Sequence, residues 1–76
     1  MSRIGLMGGT FDPPHLGHLL IAEQAREQLA LDEVWFLPAA IPPHKAGFSP
    51  AEDRIEMTRR AIADQADFKL SLIEFE

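Results

Sequence analysis

Apolar and polar positions change rhythm several times along the chain. Arg3 to Met7 is a short, mostly apolar run ending at Gly8-Gly9, which reads as a buried strand. From Leu16 to Leu29, Leu19, Ala22, Ala25 and Leu29 recur at helical spacing, with Glu23, Gln24, Glu27 and Gln28 on the polar side. Glu33 to Leu37 contains Val34, Trp35 and Phe36 and stops at Pro38; this is a second strand, with Trp35 and Phe36 expected in the core. Ala39 to Phe48 holds Pro42-Pro43 and Gly47 and is expected to be a loop. Ser49-Pro50-Ala51-Glu52 has the form of a capping box with proline at the first helical position. The helix it predicts runs to about Ala66, with Ile55, Thr58 and Ile62 on one side. Phe68, Leu70 and Leu72 then alternate with Lys69 and Ser71, predicting a third strand.

The predicted order is β-α-β-α-β. It implies an α/β fold: a Rossmann-like parallel sheet with right-handed crossovers and flanking helices, an incomplete doubly wound arrangement. Parallel strands require cover on both faces, and two helices cover one. Residues 1–76 are therefore expected to form the nucleotide-binding part of a single, longer domain. Open sheet edges make a homo-oligomer an admissible state.

Composition narrows the class. The formal charge is −5, and the seven basic residues are scattered, with only Arg59 and Arg60 adjacent. A nucleic-acid backbone binder needs a basic face, so nucleic acid is not expected as a partner. Arg59-Arg60 is expected on a solvated helix face. No cysteine is present, which excludes a disulfide framework and thiolate metal sites and makes the cytoplasm the default location. No apolar run approaches the roughly 20 residues that cross a bilayer, so no membrane partner is expected.

The chemistry concentrates between the first strand and the first helix, in Gly8-Gly9-Thr10-Phe11-Asp12-Pro13-Pro14-His15-Leu16-Gly17-His18. In a parallel sheet this is the carboxyl end of a strand, where ligands bind. Gly8 and Gly9 let a phosphate approach the backbone, and Thr10 offers N–H and hydroxyl donors. Pro13 and Pro14 stiffen the turn into the helix, whose N-terminus adds free N–H groups and partial positive charge. His15 and His18 are three apart and share a face at the helix start. Both imidazoles can donate to phosphate oxygens, and protonation strengthens such bonds. Gly17 between them is expected to clear space for a ligand. Nucleotidyl transfer needs positioning and charge stabilisation more than a protein nucleophile. Other readings of the same residues stay open: Gly8-Gly9 as an ordinary turn, the histidine pair as metal ligands, Asp12 as a helix cap in preference to a ligand, and His44-Lys45 as a solvated loop. The Walker pattern and G-x-G-x-x-G are both absent.

These residues resemble a known family. The run from Gly8 to His18 is similar to the signature of the nucleotidyltransferases that share an H-x-G-H element, here His15-Leu16-Gly17-His18, with class I aminoacyl-tRNA synthetases. The whole Gly-Gly-Thr-Phe-Asp-Pro-Pro-His run, with Pro38-Ala39-Ala40-Ile41-Pro42-Pro43-His44-Lys45, resembles the bacterial-type nicotinate-mononucleotide adenylyltransferases. Pantetheine-phosphate adenylyltransferases are similar around the first motif but usually carry Thr where His15 stands, and cytidylyltransferases lack the Pro-Pro-His-Lys.

The resemblance implies an enzyme that transfers AMP from ATP to nicotinate mononucleotide, forming nicotinate adenine dinucleotide and pyrophosphate in NAD biosynthesis. It implies that backbone at Gly8, Gly9, Thr10 and Phe11 lines the nucleotide phosphates, with Gly17 beside them. It implies that His18 and His15 stabilise the transition state, and that Lys45, with His44, reaches a substrate phosphate. It implies that Mg2+ accompanies ATP, held largely by phosphates and water. A Ser/Thr-x-x-x-x-Arg motif that grips ATP and the contacts that select nicotinate normally lie beyond a position like Glu76, so the 76 residues alone are expected to be inactive. Two alternatives are an H-x-G-H transferase of the pantetheine-phosphate or nicotinamide-mononucleotide type, and a truncated, non-catalytic nucleotide-binding module.

Overall fold

The computed structural model describes residues 2–41 and 46–76. Within them, β1 (Ile4–Gly9), α1 (Leu16–Gln28), β2 (Glu33–Pro38), α2 (Ala51–Ala61) and β3 (Phe68–Leu70) follow in order, and a 3-10 turn, Ile73–Phe75, comes last. The three strands form one parallel sheet in the order β1-β2-β3. The fold is α/β and Rossmann-like, as the hydrophobic pattern predicts. Ala22 of α1 and Ile62 at the end of α2 pack into one core cluster, so both helices cover the same face of the sheet.

The pleat separates the two faces. Val34, Phe36 and Pro38 of β2 point into the core, while Glu33, Trp35 and Leu37 are only half-buried. Phe36 and Val34 pack with Phe11, Ala22, Ile62 and Phe68. Phe36 lies between the Phe11 and Phe68 rings, with centroids 5.6 and 5.2 Å away. On the opposite face Ile4 and Leu6 remain exposed. Trp35 is thus not a core residue; its indole N–H donates to Glu33 Oε1.

Several boundaries differ from those predicted. β1 does not stop at Met7: Gly8 and Gly9 stay in register with Leu37 and Pro38, because β2 continues beside them. Pro50 is the N-cap of α2 and not its first helical residue, and no side chain caps that end. Ser49 precedes the cap, and its N–H donates to Asp12 Oδ2 at 2.8 Å where a capping box would give it to Glu52. α2 closes at Ala61, well before Ala66: past it the Ala63 and Gln65 N–H groups bond three residues back, to Arg60 O and Ile62 O, and the α pattern is lost. β3 ends at Leu70, after which Ser71 N–H reaches Phe36 O and the chain turns away from alternation. Leu29, expected on the apolar side of α1, is exposed beyond the end of that helix.

α1 closes without glycine. Ala30 adopts φ 52°, and the Leu31 N–H returns to Arg26 O at 2.9 Å, the Schellman closure that usually carries glycine at the left-handed position. Arg59 and Arg60 lie on the exposed side of α2 and pair with Glu56, as expected for a solvated face.

Candidate functional site

The carboxyl ends of β1 and β2 open toward the start of α1. Gly8 closes no contact on its open side: a Cβ there would meet nothing within 4 Å. Gly9 is different, because a Cβ would sit 3.2 Å from the Phe11 ring, so its lack of a side chain serves packing. Thr10 is exposed and leads into Phe11.

Phe11 joins the core to the loop. Its ring is 1% exposed, and its backbone takes φ 51°, a conformation that costs a side-chain-bearing residue on the order of 1–3 kcal/mol and persists only where the surroundings enforce it. The ring is gripped by Phe36 from within and meets the edge of His18 at 5.1 Å. Pro13 follows Asp12 through a cis peptide bond. Asp12 does not cap α1, as expected of it. Its carboxylate accepts the Ser49 N–H, and that bond, with a minor contribution from the Arg54 charge, holds it below the ordinary carboxylate range.

The cap of α1 is His15. Its backbone is extended, and its Nδ1 accepts the Gly17 N–H at 3.0 Å. In return His18 Nδ1 accepts the His15 N–H at 3.0 Å. Two histidines therefore form the reciprocal capping box that Ser/Thr and Glu usually form. Their rings lie 4.1 Å apart between centroids, tilted by 41°. Gly17 makes this possible: a Cβ would meet His15 Cε1 at 2.7 Å and Nδ1 at 2.9 Å. The space cleared by Gly17 is thus filled by the His15 ring.

This geometry sets the tautomers. An Nδ1 that accepts a hydrogen bond carries no proton, so each neutral ring carries its proton on Nε2. Among the described residues, neither Nε2 makes a hydrogen bond to the protein. Partial burial, and secondarily the nearby His15, lower the His18 pKa from the ordinary histidine value. Protonation would set an Nδ1–H against the His15 N–H. His18 is accordingly favoured as a neutral donor through Nε2, not as the cation that the spacing alone allowed.

One residue of this region escaped the sequence reading. Arg54, on α2, is 2% exposed. Its Nη1 donates to Ala39 O at 2.8 Å and to Thr10 O at 3.1 Å, and its Nε donates to Ser49 O at 3.0 Å. A signal for it existed: Arg54, Thr58 and Ile62 recur every four residues and form the buried stripe of α2. A cation in that stripe reads as solvated until its partners are known.

The structure brings Gly8, Gly9, Thr10, Phe11, His15, Gly17 and His18 to one end of the sheet. His44 and Lys45 lie outside the described residues.

The family model described as cytidylyltransferase-like matches residues 6–76. The chain belongs to the cytidylyltransferase-like family. Within that family it is similar to a probable nicotinate-nucleotide adenylyltransferase of Exiguobacterium sibiricum, with 65% identity over 75 residues, covering 97% of this chain and 40% of the relative. It is similar to the nicotinate-nucleotide adenylyltransferase of Bacillus subtilis, with 50% identity over 78 aligned residues, covering all of this chain and 41% of that protein. The chain thus spans about two-fifths of the length of these relatives. Its fold is also similar to that of Plasmodium falciparum nicotinic acid mononucleotide adenylyltransferase complexed with NaAD. That match has a TM-score of 0.72 and 20% identity, and covers all of this chain and 38% of that one.

Proposed function

We propose that residues 1–76 form the amino-terminal, nucleotide-binding part of a nicotinate-nucleotide adenylyltransferase. The observation that carries this reading is the His15–His18 capping box, which leaves two Nε2–H donors at the carboxyl end of β1. The high identity to proteins named for this activity supports the choice of substrate. Nicotinate mononucleotide and ATP are the substrates. The mononucleotide phosphate attacks the α-phosphorus of ATP in line; the bond to the β-phosphate oxygen breaks, and pyrophosphate leaves with its electrons.

The attacking phosphate is already ionised near neutral pH, so no residue need act as a strong base. His18 is the first donor to the developing charge and His15 the second; fixed donors of this kind are commonly worth about 3 kcal/mol each. Backbone at Gly8, Gly9, Thr10 and Phe11 approaches the phosphates, with Gly17 keeping His15 in place. Lys45, with His44, reaches a substrate phosphate.

Mg2+ fits this chain as an ion carried by ATP. The Nδ1 atoms of His15 and His18 are occupied and the Asp12 carboxylate is engaged by Ser49, which fits an ion held by phosphates and water. When bound with ATP the ion neutralises phosphate charge. Among the described residues no helix is long and apolar enough to cross a membrane; a cytoplasmic location accords with the substrates.

The test is pyrophosphate release from ATP and nicotinate mononucleotide, with the 76-residue chain beside the full-length protein, extended to the length of its relatives. Turnover by the full-length protein only is expected. Turnover by neither would sink the assignment in favour of a binding module.

A further inference from the structure

We propose that Arg54 is a positioning residue for nucleotide binding, which ties together the backbone after β1 at Thr10, the backbone after β2 at Ala39 and the approach to α2 at Ser49. A buried cation must find strong partners for its loss of water. All three bonds recorded for this one go to backbone carbonyls, those of Thr10, Ala39 and Ser49, on three separate segments. A planar guanidinium can serve three such acceptors in fixed directions, which a lysine ammonium on a flexible stem cannot do.

The effect on the site follows from peptide planarity. Thr10 C=O and Ala39 C=O point at Nη1, so the following N–H groups, those of Phe11 and Ala40, point away from it. Two backbone donors at neighbouring strand ends are thereby oriented by one side chain. The same bond to Thr10 helps to hold Phe11 in its left-handed conformation, and Phe11 in turn meets His18. Ser49 is held from both sides, its N–H by Asp12 and its C=O by Arg54, so both bases of the loop between β2 and α2 are tied to the β1 loop. Arg54 is in turn held by its own helix: its carbonyl accepts the Thr58 hydroxyl at 2.8 Å.

The inference rests on the adenylyltransfer reading for its turnover readout, and ATP affinity reads it independently. The experiment compares Arg54→Lys with Ile62→Ala in the full-length protein. Ile62 lies on the same buried stripe, and its aliphatic side chain has no donor for the three carbonyls, so its truncation controls for weakening of α2. A smaller folded fraction lowers apparent kcat and leaves KM unchanged, whereas misoriented donors raise KM. Arg54→Lys is expected to raise KM for ATP several-fold and to lower turnover per folded molecule by about tenfold or more, with Ile62→Ala unchanged in both. Arg54→Lys indistinguishable from Ile62→Ala would overturn the proposal. If the wild type binds ATP but makes no dinucleotide, the adenylyltransfer reading fails, and the ATP Kd of the same two variants decides the role of Arg54.

Discussion

The backbone N–H of His15 donates to Nδ1 of His18 at 3.0 Å. That bond commits the His18 proton to Nε2 and makes the ring a neutral donor. The expected outcome is an Nε2–H signature for His18 in imidazole 15N spectra at pH 7. A proton on Nδ1, or a charged ring at that pH, would contradict the geometry. The sign of the pH effect follows. The folded pKa of His18 lies below its unfolded value of 6.5, so the unfolded chain takes up the proton first. Stability from the neutral ring is present above pH 6.5 and is lost as the pH falls from 6.5 through the lower folded value. Melting temperature should therefore drop over that interval, and less in His18→Gln than in the wild type.

His18→Ala should act on the transition state. A lost donor of this kind lowers kcat by about 100-fold or more, while affinity for the mononucleotide changes little. Equal losses in kcat and mononucleotide affinity, measured by steady-state kinetics and calorimetry, would remove the role assigned to His18.

Gly17→Ala separates helix stability from site geometry. Alanine inside a helix is favoured over glycine by about 1 kcal/mol. The new Cβ would meet the His15 ring at 2.7 Å and displace it, losing a cap worth about 1 kcal/mol. Melting temperature should hardly move, yet turnover should fall because Nε2 of His15 is re-aimed. Wild-type turnover in Gly17→Ala would show that the position of His15 does not matter.

Ala30→Gly should stabilise the protein. The left-handed conformation of Ala30 costs roughly 1–2 kcal/mol in a residue with a Cβ, against about 0.4–1 kcal/mol of extra unfolded-state entropy for glycine. A net gain of up to about 1 kcal/mol is expected in denaturant unfolding, with turnover unchanged. A loss of stability would mean that the Schellman closure does not carry this strain.

The alternation of strand and helix was readable because burial imposes a period: two for a strand, 3.6 for a helix. Val34 and Phe36 lie inward, and Ala22 lies on the apolar side of α1. Element ends were less readable. Whether β1 continues through Gly8-Gly9 depends on what β2 places beside it, and the partner of the Ser49 N–H is Asp12, 37 residues away in the chain.

By itself, then, the sequence determined the α/β order, the parallel sheet and the placing of the Gly8–His18 run between β1 and α1, since these depend on local periodicity and on residue types a few positions apart. Tertiary structure alone decided the rest. It turned the Nδ1 atoms of His15 and His18 onto backbone N–H groups, which leaves each Nε2 as the outward nitrogen. It gave the space at Gly17 to an imidazole. And it took Arg54 into the core, because only folding brings the carbonyls of Thr10, Ala39 and Ser49 within reach of one guanidinium.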